Sequence, residues 1–409
     1  MFDICVKCKG RLWCGPVCWV LEKHKIVSRS VEQMKGTSFQ GSSPPSLFVS
    51  WTSYPNVTVA PMAPTFSLDD ADLLDNPERW YGLPAQDIIG FREQLVRSTS
   101  KALVQSASNP SRELARMQEL VLGEKSVEVE VELAKRPHAE LSFSDTTPPM
   151  GPHAPLKKFR LTENPSVPQK VDALVADTQA LSQTAVQELF EHHIPVHYLY
   201  KILSAGMLGV QRKRKLVPTR WAITAIDSNL SNYLVEEVKA YSPIQDFRVF
   251  HANYVDNDFW ILLLPSEWQF EQMEAWKPGG LWTSHSTESR IMADHEFFGG
   301  RKKYASNVAG AYYSARLAVG EYLRSIKRQS GCVIFREIGV SVQASLGVWK
   351  IRETVRHALK EKPLTFYELP RALDFLSSRL SVPLESYLRE SNVLSFYRHQ
   401  KRITEYLAR

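Results

Sequence analysis

The chain has 409 residues, of which 44% are hydrophobic and 23% charged, with a formal net charge of +6. This length exceeds one simple core and predicts two domains with small appendages, and the composition excludes a disordered or fibrous chain. No apolar run approaches the roughly 20 residues a membrane span needs, and the start "MFDICVKCKG" lacks the apolar segment of a secretory signal, so a cytoplasmic protein with reduced thiols is expected.

Four of the five cysteines, Cys5, Cys8, Cys14 and Cys18, fall within the first eighteen residues with the spacing C-x2-C-x5-C-x3-C. In a reducing compartment such clustering favours metal over disulfides. Gly10 lets the chain turn after "CVKC", and Gly15 and Pro16 turn it within "CGPVC". Four thiolates close a tetrahedral site, which predicts a structural zinc with no open position for catalysis; an iron–sulfur cluster uses the same ligands. Trp13, between the pairs, either packs on this site or meets a partner.

Residues 36–64 are rich in Gly, Ser and Pro but carry Val49, Trp51 and "NVTVA", which predicts short strands joined by tight turns. Ser67 is a candidate helix N-cap, "AQDIIGFREQLV" has helical spacing, and 111–125 reads as a helix. Val127, Val129, Val131 and Leu133 alternate with Glu128, Glu130 and Glu132, the pattern of a half-buried strand. Its glutamates either line a cation site or form a face that is solvated or opposes a basic strand.

The Pro-rich stretch 144–168 is an exposed connection or a functional loop, and "QKVDALVADTQALSQTAVQELFEHH" reads as one helical run. In "HHIPVH", Pro195 prevents His193 and His197 from sharing a regular helix face, so turn-exposed histidines are expected there. "RWAITAID" reads as a buried strand after the basic run 212–215, with Asp227, Ser228 or Asn229 capping a following helix. Asp227, at a strand-to-helix turn, could also hold a metal or a nucleotide. "FRVFHANYVDNDFWILLLPSEW" predicts two antiparallel strands turned at "DND".

Beyond residue 281, "HEFFGGRKKYASN" joins a Gly-Gly loop bearing Arg301, Lys302 and Lys303 to a long helix starting at "NVAGAYY". Backbone N–H groups at a helix start with adjacent cations suit a phosphate; the alternative is a surface turn with basic side chains. "GCVIFREI" is a buried strand with Cys332 as a core thiol, and "GVWKIRETVRHALKEK" and "TFYELPRALDFLSSRL" are helices. Residues 301–409 hold 20 Lys and Arg against 9 Asp and Glu, a net of +11 that leaves −5 for residues 1–300. This asymmetry points to an anionic partner, nucleic acid first, or to a basic solvated surface.

No standard hydrolase, zinc-protease, Walker or dinucleotide motif is present. Candidate groups for a metal-dependent nuclease or nucleotide-processing enzyme are Asp227, Asp256, Asp258, Asp294, His295 and Glu296, provided they converge. In the last residues, Ile403, Tyr406 and Leu407 fall on one side of a helical turn with the Gln400 amide one turn earlier, for packing on the chain's own domain or docking in a partner's groove. Gln-x-x-aliphatic-x-x-aromatic-hydrophobic resembles the peptide by which partners bind the sliding clamp PCNA; Leu407 replaces the usual second aromatic, which implies weaker anchoring.

On "CVKCKGRLWCGPVC", "SPPSLFVSWTSYPNV", "VPTRWAITAID", "FFGGRKKYA" and "QKRITEYL", the chain resembles the archaeal Nre family over essentially its full length. The resemblance implies a zinc-finger-like N-terminus with Cys5, Cys8, Cys14 and Cys18 as ligands, and clamp anchors at Gln400, Ile403, Tyr406 and Leu407. It also implies a role in DNA damage repair alongside nucleotide excision repair proteins, and it carries no catalytic assignment. The expected fold is a mixed α+β or α/β chain: a four-cysteine zinc knuckle at 1–24, a mixed α/β domain at 25–280, a mainly helical basic domain at 281–395 and a PCNA-binding tail at 396–409.

Overall fold

A computed structural model describes residues 8, 11, 12, 34, 36–138, 150–278, 283, 287–340 and 346–399. Of the cysteine cluster only Cys8 is among them, and it is buried. Cys5, Cys14 and Cys18, and the tail residues Gln400, Ile403, Tyr406 and Leu407, lie outside the described residues. The fold is mixed α+β and divides into two compact units, essentially residues 2–230 and 231–409.

The first unit is built on a six-stranded mixed sheet in the order β1-β5-β6-β4-β3-β2. Its strands are β1 Ser38–Ser43, β2 Leu47–Val49, β3 Asn56–Ala63, β4 Val96–Leu103, β5 Val127–Leu133 and β6 His153–Leu161. β5 buries every second residue, as its alternation requires. Its glutamates face β1 and the basic β6: Glu132 pairs with Lys157 at 2.6 Å, Glu130 accepts from Gln40, and Glu128 accepts from Ser42 and Ser67. Ser67 therefore anchors a carboxylate and caps no helix.

Helices α1 Ala85–Glu93 and α2 Arg112–Val121 match the spacing read in sequence, and the Ser111 hydroxyl caps α2 by accepting from the Leu114 N–H at 3.2 Å. The run expected as one helix at 169–193 is two, α3 Gln169–Ala176 and α4 Ser182–Glu191. The reason is Asp177, whose carboxylate accepts the Gln179 and Ala180 N–H groups at 2.8 and 3.0 Å and turns the chain. His197 is not turn-exposed: it sits on α5 Val196–Ser204, 3.3 Å from Glu78, and burial lowers its pKa.

"RWAITAID" is helical, not extended. It opens α6, Thr219–Val238, and Asp227 to Asn229 lie inside that helix rather than capping it. Ile and Thr favour strands locally, but Ala222, Ile226, Leu230, Leu234 and Val238 recur every fourth position and are all buried. A helical stripe sustained over five turns outweighs propensity over eight residues.

The second unit carries the sheet β10-β9-β11-β8-β7-β12. Its strands are β7 Phe247–Asn253, β8 Asn257–Leu264, β9 Gln269–Trp276, β10 Arg290–Glu296, β11 Gly331–Ile338 and β12 Leu364–Phe366. Strands from both sides of residue 280 share this sheet, with β11 antiparallel to β8 and parallel to β9. The described region beyond 281 is mainly helical, as expected, but supplies three strands where the sequence suggests one.

One face of this sheet packs on the end of α6, on α7 Gly310–Ser325 and on α8 Trp349–Lys360, through residues such as Phe259, Ile334, Tyr312 and Val355. The other packs on α9 Leu369–Ser377, α10 Leu384–Glu390 and α11 Asn392–His399, through Trp260, Phe335, Tyr387 and Leu394. β11 is central and covered on both faces, so all eight of its residues are buried, and Cys332 is the core thiol expected. No described helix is long and apolar enough to cross a membrane.

Candidate nucleic-acid interface

β10 delivers Asp294 and Glu296 to the face covered by α6 and α7, and His295 to the opposite one. The chain then turns at Phe297–Gly300, closed by a 2.8 Å bond from the Gly300 N–H to the Phe297 carbonyl. Gly300 has φ +72°, a conformation that favours glycine and explains the second glycine of the pair.

Arg301 folds back from this turn. It donates to the His295 carbonyl at 2.6 Å, to Asp294 Oδ1 at 3.0 Å and to the Tyr304 carbonyl at 3.3 Å, and lies 5.2 Å from the Tyr312 ring. Asp294 Oδ2 accepts the Asn307 and Val308 N–H groups at 2.8 and 2.9 Å. The anion expected before this helix is thus the protein's own carboxylate, and Arg301 is its counter-ion. The two remaining cations, Lys302 and Lys303, are exposed.

Aromatic rings surround these lysines in sequence and are themselves partly exposed. Phe297 packs on His295 at 5.2 Å and on Phe396 at 4.9 Å, Phe298 lies 5.2 Å from Lys239 Nζ, and Tyr304 stacks on Tyr313 at 5.4 Å. Rings held by neighbours brace the loop, and the exposed ammonium groups beside them can meet phosphates. The stretch "FFGGRKKYA" holds Phe297, Phe298 and Tyr304 as well as the three cations; charge marks the cations in sequence, whereas only packing decides which rings stay exposed.

The acidic candidates are held in protein contacts. Glu296 accepts from Trp268 Nε1 at 2.7 Å and Arg316 Nε at 2.8 Å, and Arg316 also reaches Ser231 and Asn232. Asp258 pairs with His251 at 2.6 Å; burial raises its pKa, but the His251 hydrogen bond and charge outweigh this and lower it. Burial and the Arg301 charge lower the pKa of His295 against the pull of Asp294. Asp256 sits in the β7–β8 turn with φ +51°, its carboxylate against Gly339, and Asp227 is buried within α6. Among the described residues no three His, Cys, Asp or Glu side chains form a group that could hold a metal ion.

A deeper polar cluster lies on the same sheet face. Arg336 donates to Asn257 Oδ1 at 2.9 and 2.5 Å and to Glu274 at 2.5 Å, and the Lys350 amine beside them is buried. Burial and the Arg336 charge lower its pKa to about 7.

Comparison with known proteins adds lineage to this geometry. The model of the N-terminal part of archaeal Nre proteins matches residues 13–283, and that of the C-terminal part matches 296–406. DNA repair protein NreB of Archaeoglobus fulgidus is 37% identical over 95% of this chain and 96% of its own length. DNA repair protein NreA of the same organism is 36% identical over 92% and 93%, and NreA of Haloferax volcanii is 32% identical over 89% and 88%. No solved structure matches significantly. With both family models and full-length relatives in agreement, the chain belongs to the archaeal Nre family.

Proposed function

We propose that this protein is a cytoplasmic DNA repair factor that contacts DNA through the 297–304 loop and is brought to the sliding clamp by its C-terminal peptide. The repair role rests on relatives named DNA repair proteins that align along nearly the whole chain. The DNA contact rests on one observation: Arg301 is consumed in holding the loop, while Lys302 and Lys303 stand exposed among partly exposed rings. The clamp contact rests on the Gln400, Ile403, Tyr406, Leu407 spacing. The four N-terminal cysteines are a donor set suited to a structural zinc, which would stabilise a segment too small to fold alone. Partners in nucleotide excision repair fit the same reading.

The test is the salt dependence of duplex binding. Each lysine that neutralises a phosphate steepens the slope of log K against log salt by about 0.9. Lys302→Ala with Lys303→Ala should therefore flatten the slope by about 2 and weaken binding to all sequences alike. An unchanged slope would remove this loop from the interface.

A further inference from the structure

A second surface, wholly within the first unit, carries the stretch "SPPSLFVSWTSYPNV", to which the repair reading assigns nothing. Three large side chains stand open on it: Trp51 and Tyr54 at the β2–β3 turn and Trp221 at the start of α6, which are 47%, 49% and 45% exposed. The Tyr54 and Trp221 rings meet at 5.2 Å, and Leu103, 51% exposed, ends the neighbouring strand β4.

The scaffold beneath them is rigidly tied. The Val104 N–H donates to the Pro55 carbonyl at 3.1 Å, and the Leu216 N–H donates to the Val104 carbonyl at 2.8 Å. Tyr54, Leu103 and Lys215 each stand one residue before a member of this ladder. The Val49 N–H donates to Thr219 Oγ1 at 2.9 Å, which fixes the end of β2 to the start of α6. Beside Leu103 a groove of about 490 Å³ opens, lined by Lys101, Ser106, Asn109 and Ser111 among others, with Glu113 as its carboxylate.

Charge identifies the occupant. The segments that build this surface, 36–68, 94–112 and 192–226, contain no Asp or Glu and nine Lys or Arg. Lys101, Arg212, Lys213, Lys215 and Arg220 among these are exposed. A chain with 44 acidic residues that leaves three converging segments free of them presents a surface complementary to a polyanion. Open aromatic faces add what a duplex does not use: its bases are stacked inside, whereas unpaired bases can lie on Trp and Tyr rings.

We infer that Tyr54, Trp221 and Trp51 form a stacking platform for unpaired bases, with Lys101 and Lys215 meeting the strand's phosphates. The inference deepens the repair reading by naming the form of nucleic acid bound, and it uses a surface separate from the 297–304 loop in the chain.

The experiment uses the full-length protein with a labelled thymidine oligonucleotide and a duplex of the same length. Tyr54→Ala with Trp221→Ala should weaken single-strand binding about tenfold or more while duplex binding changes about twofold or less, because stacking serves only unpaired bases. Trp221→Phe alone should retain most of the affinity. In the wild type, tryptophan fluorescence should be quenched by the oligonucleotide and should remain so in Lys302→Ala/Lys303→Ala, whatever that variant does to duplex binding. Should the alanine pair fail to fold, Lys215→Glu, at an exposed side chain, should weaken single-strand more than duplex binding. Unchanged single-strand affinity, or equal losses on both forms, overturns the platform; the first result would mean that the surface serves a protein instead.

Discussion

Asp294 and Arg301 form a 3.0 Å ion pair that ties the glycine turn back onto the strand from which it departs. The same carboxylate holds the Asn307 and Val308 N–H groups, so one buried side chain organises both ends of the 295–307 connection. Because Arg301 is spent on this, the loop presents only the two lysines that follow it.

Asp294→Ala should be among the most damaging single changes in the second unit. It leaves Arg301 without its counter-ion and two N–H groups without an acceptor, a loss of about 3–5 kcal/mol by the usual cost of breaking a buried pair. Denaturant unfolding at neutral pH measures it as a lower midpoint at unchanged slope. A loss below about 1 kcal/mol, the size of one ordinary hydrogen bond, would show that the loop is organised by something else.

Lys350 gives the fold an alkaline gain in stability. Its pKa falls from an ordinary 10.5 to about 7 in the folded protein, with Arg336, Glu274 and Asp256 facing it. Between those values the unfolded chain holds a proton that the folded chain has released, so stability rises with pH across the window and falls as pH drops towards 7. Lys350→Met should be more stable than wild type at pH 7, and the difference should shrink by pH 9. Parallel stability curves for the two proteins would rule this out.

The tail is tested by pull-down with the sliding clamp. Ile403→Ala with Tyr406→Ala should abolish retention, because these two side chains supply most of the apolar anchor. Gln400→Ala should weaken it by about 1 kcal/mol, the net contribution of one neutral hydrogen bond. Wild-type retention in the Ile403/Tyr406 variant would assign the tail to the chain's own domain.

The cysteine cluster predicts metal in the purified protein. Elemental analysis should find a single zinc per chain, lost in Cys5→Ser with Cys8→Ser. Strong visible absorption with iron in place of zinc would instead identify a cluster. Chelation should release zinc and make the N-terminal segment protease-sensitive, while the two sheet units keep their melting transitions.

Where periodicity had a single meaning, the sequence was sufficient. The alternation at 127–133 and the unbroken apolar run at 331–335 each allow one kind of strand, half-buried and central respectively. At the start of α6 residues 220–227 fit a strand locally, and only the five-turn stripe through Val238 reveals the helix. At 169–191 the periodicity was helical throughout; the break came from a local competition, Asp177 for backbone N–H groups, that apolar spacing does not register.

The candidate sites divide along the same line. Composition and order along the chain determined the basic C-terminal quarter, the cysteine spacing, the tail pattern and the acid-free segments, since these need no partner to exist. Tertiary structure decided which charges are spent. Arg301, Asp294 and Glu296 look in sequence like Lys302, Lys303 and any surface carboxylate, but they are consumed by partners up to 28 residues away. It also brought Tyr54 to Trp221 across more than 160 positions. A charge or a ring is available for function only where folding has left it without a better contact, and long-range packing settles that.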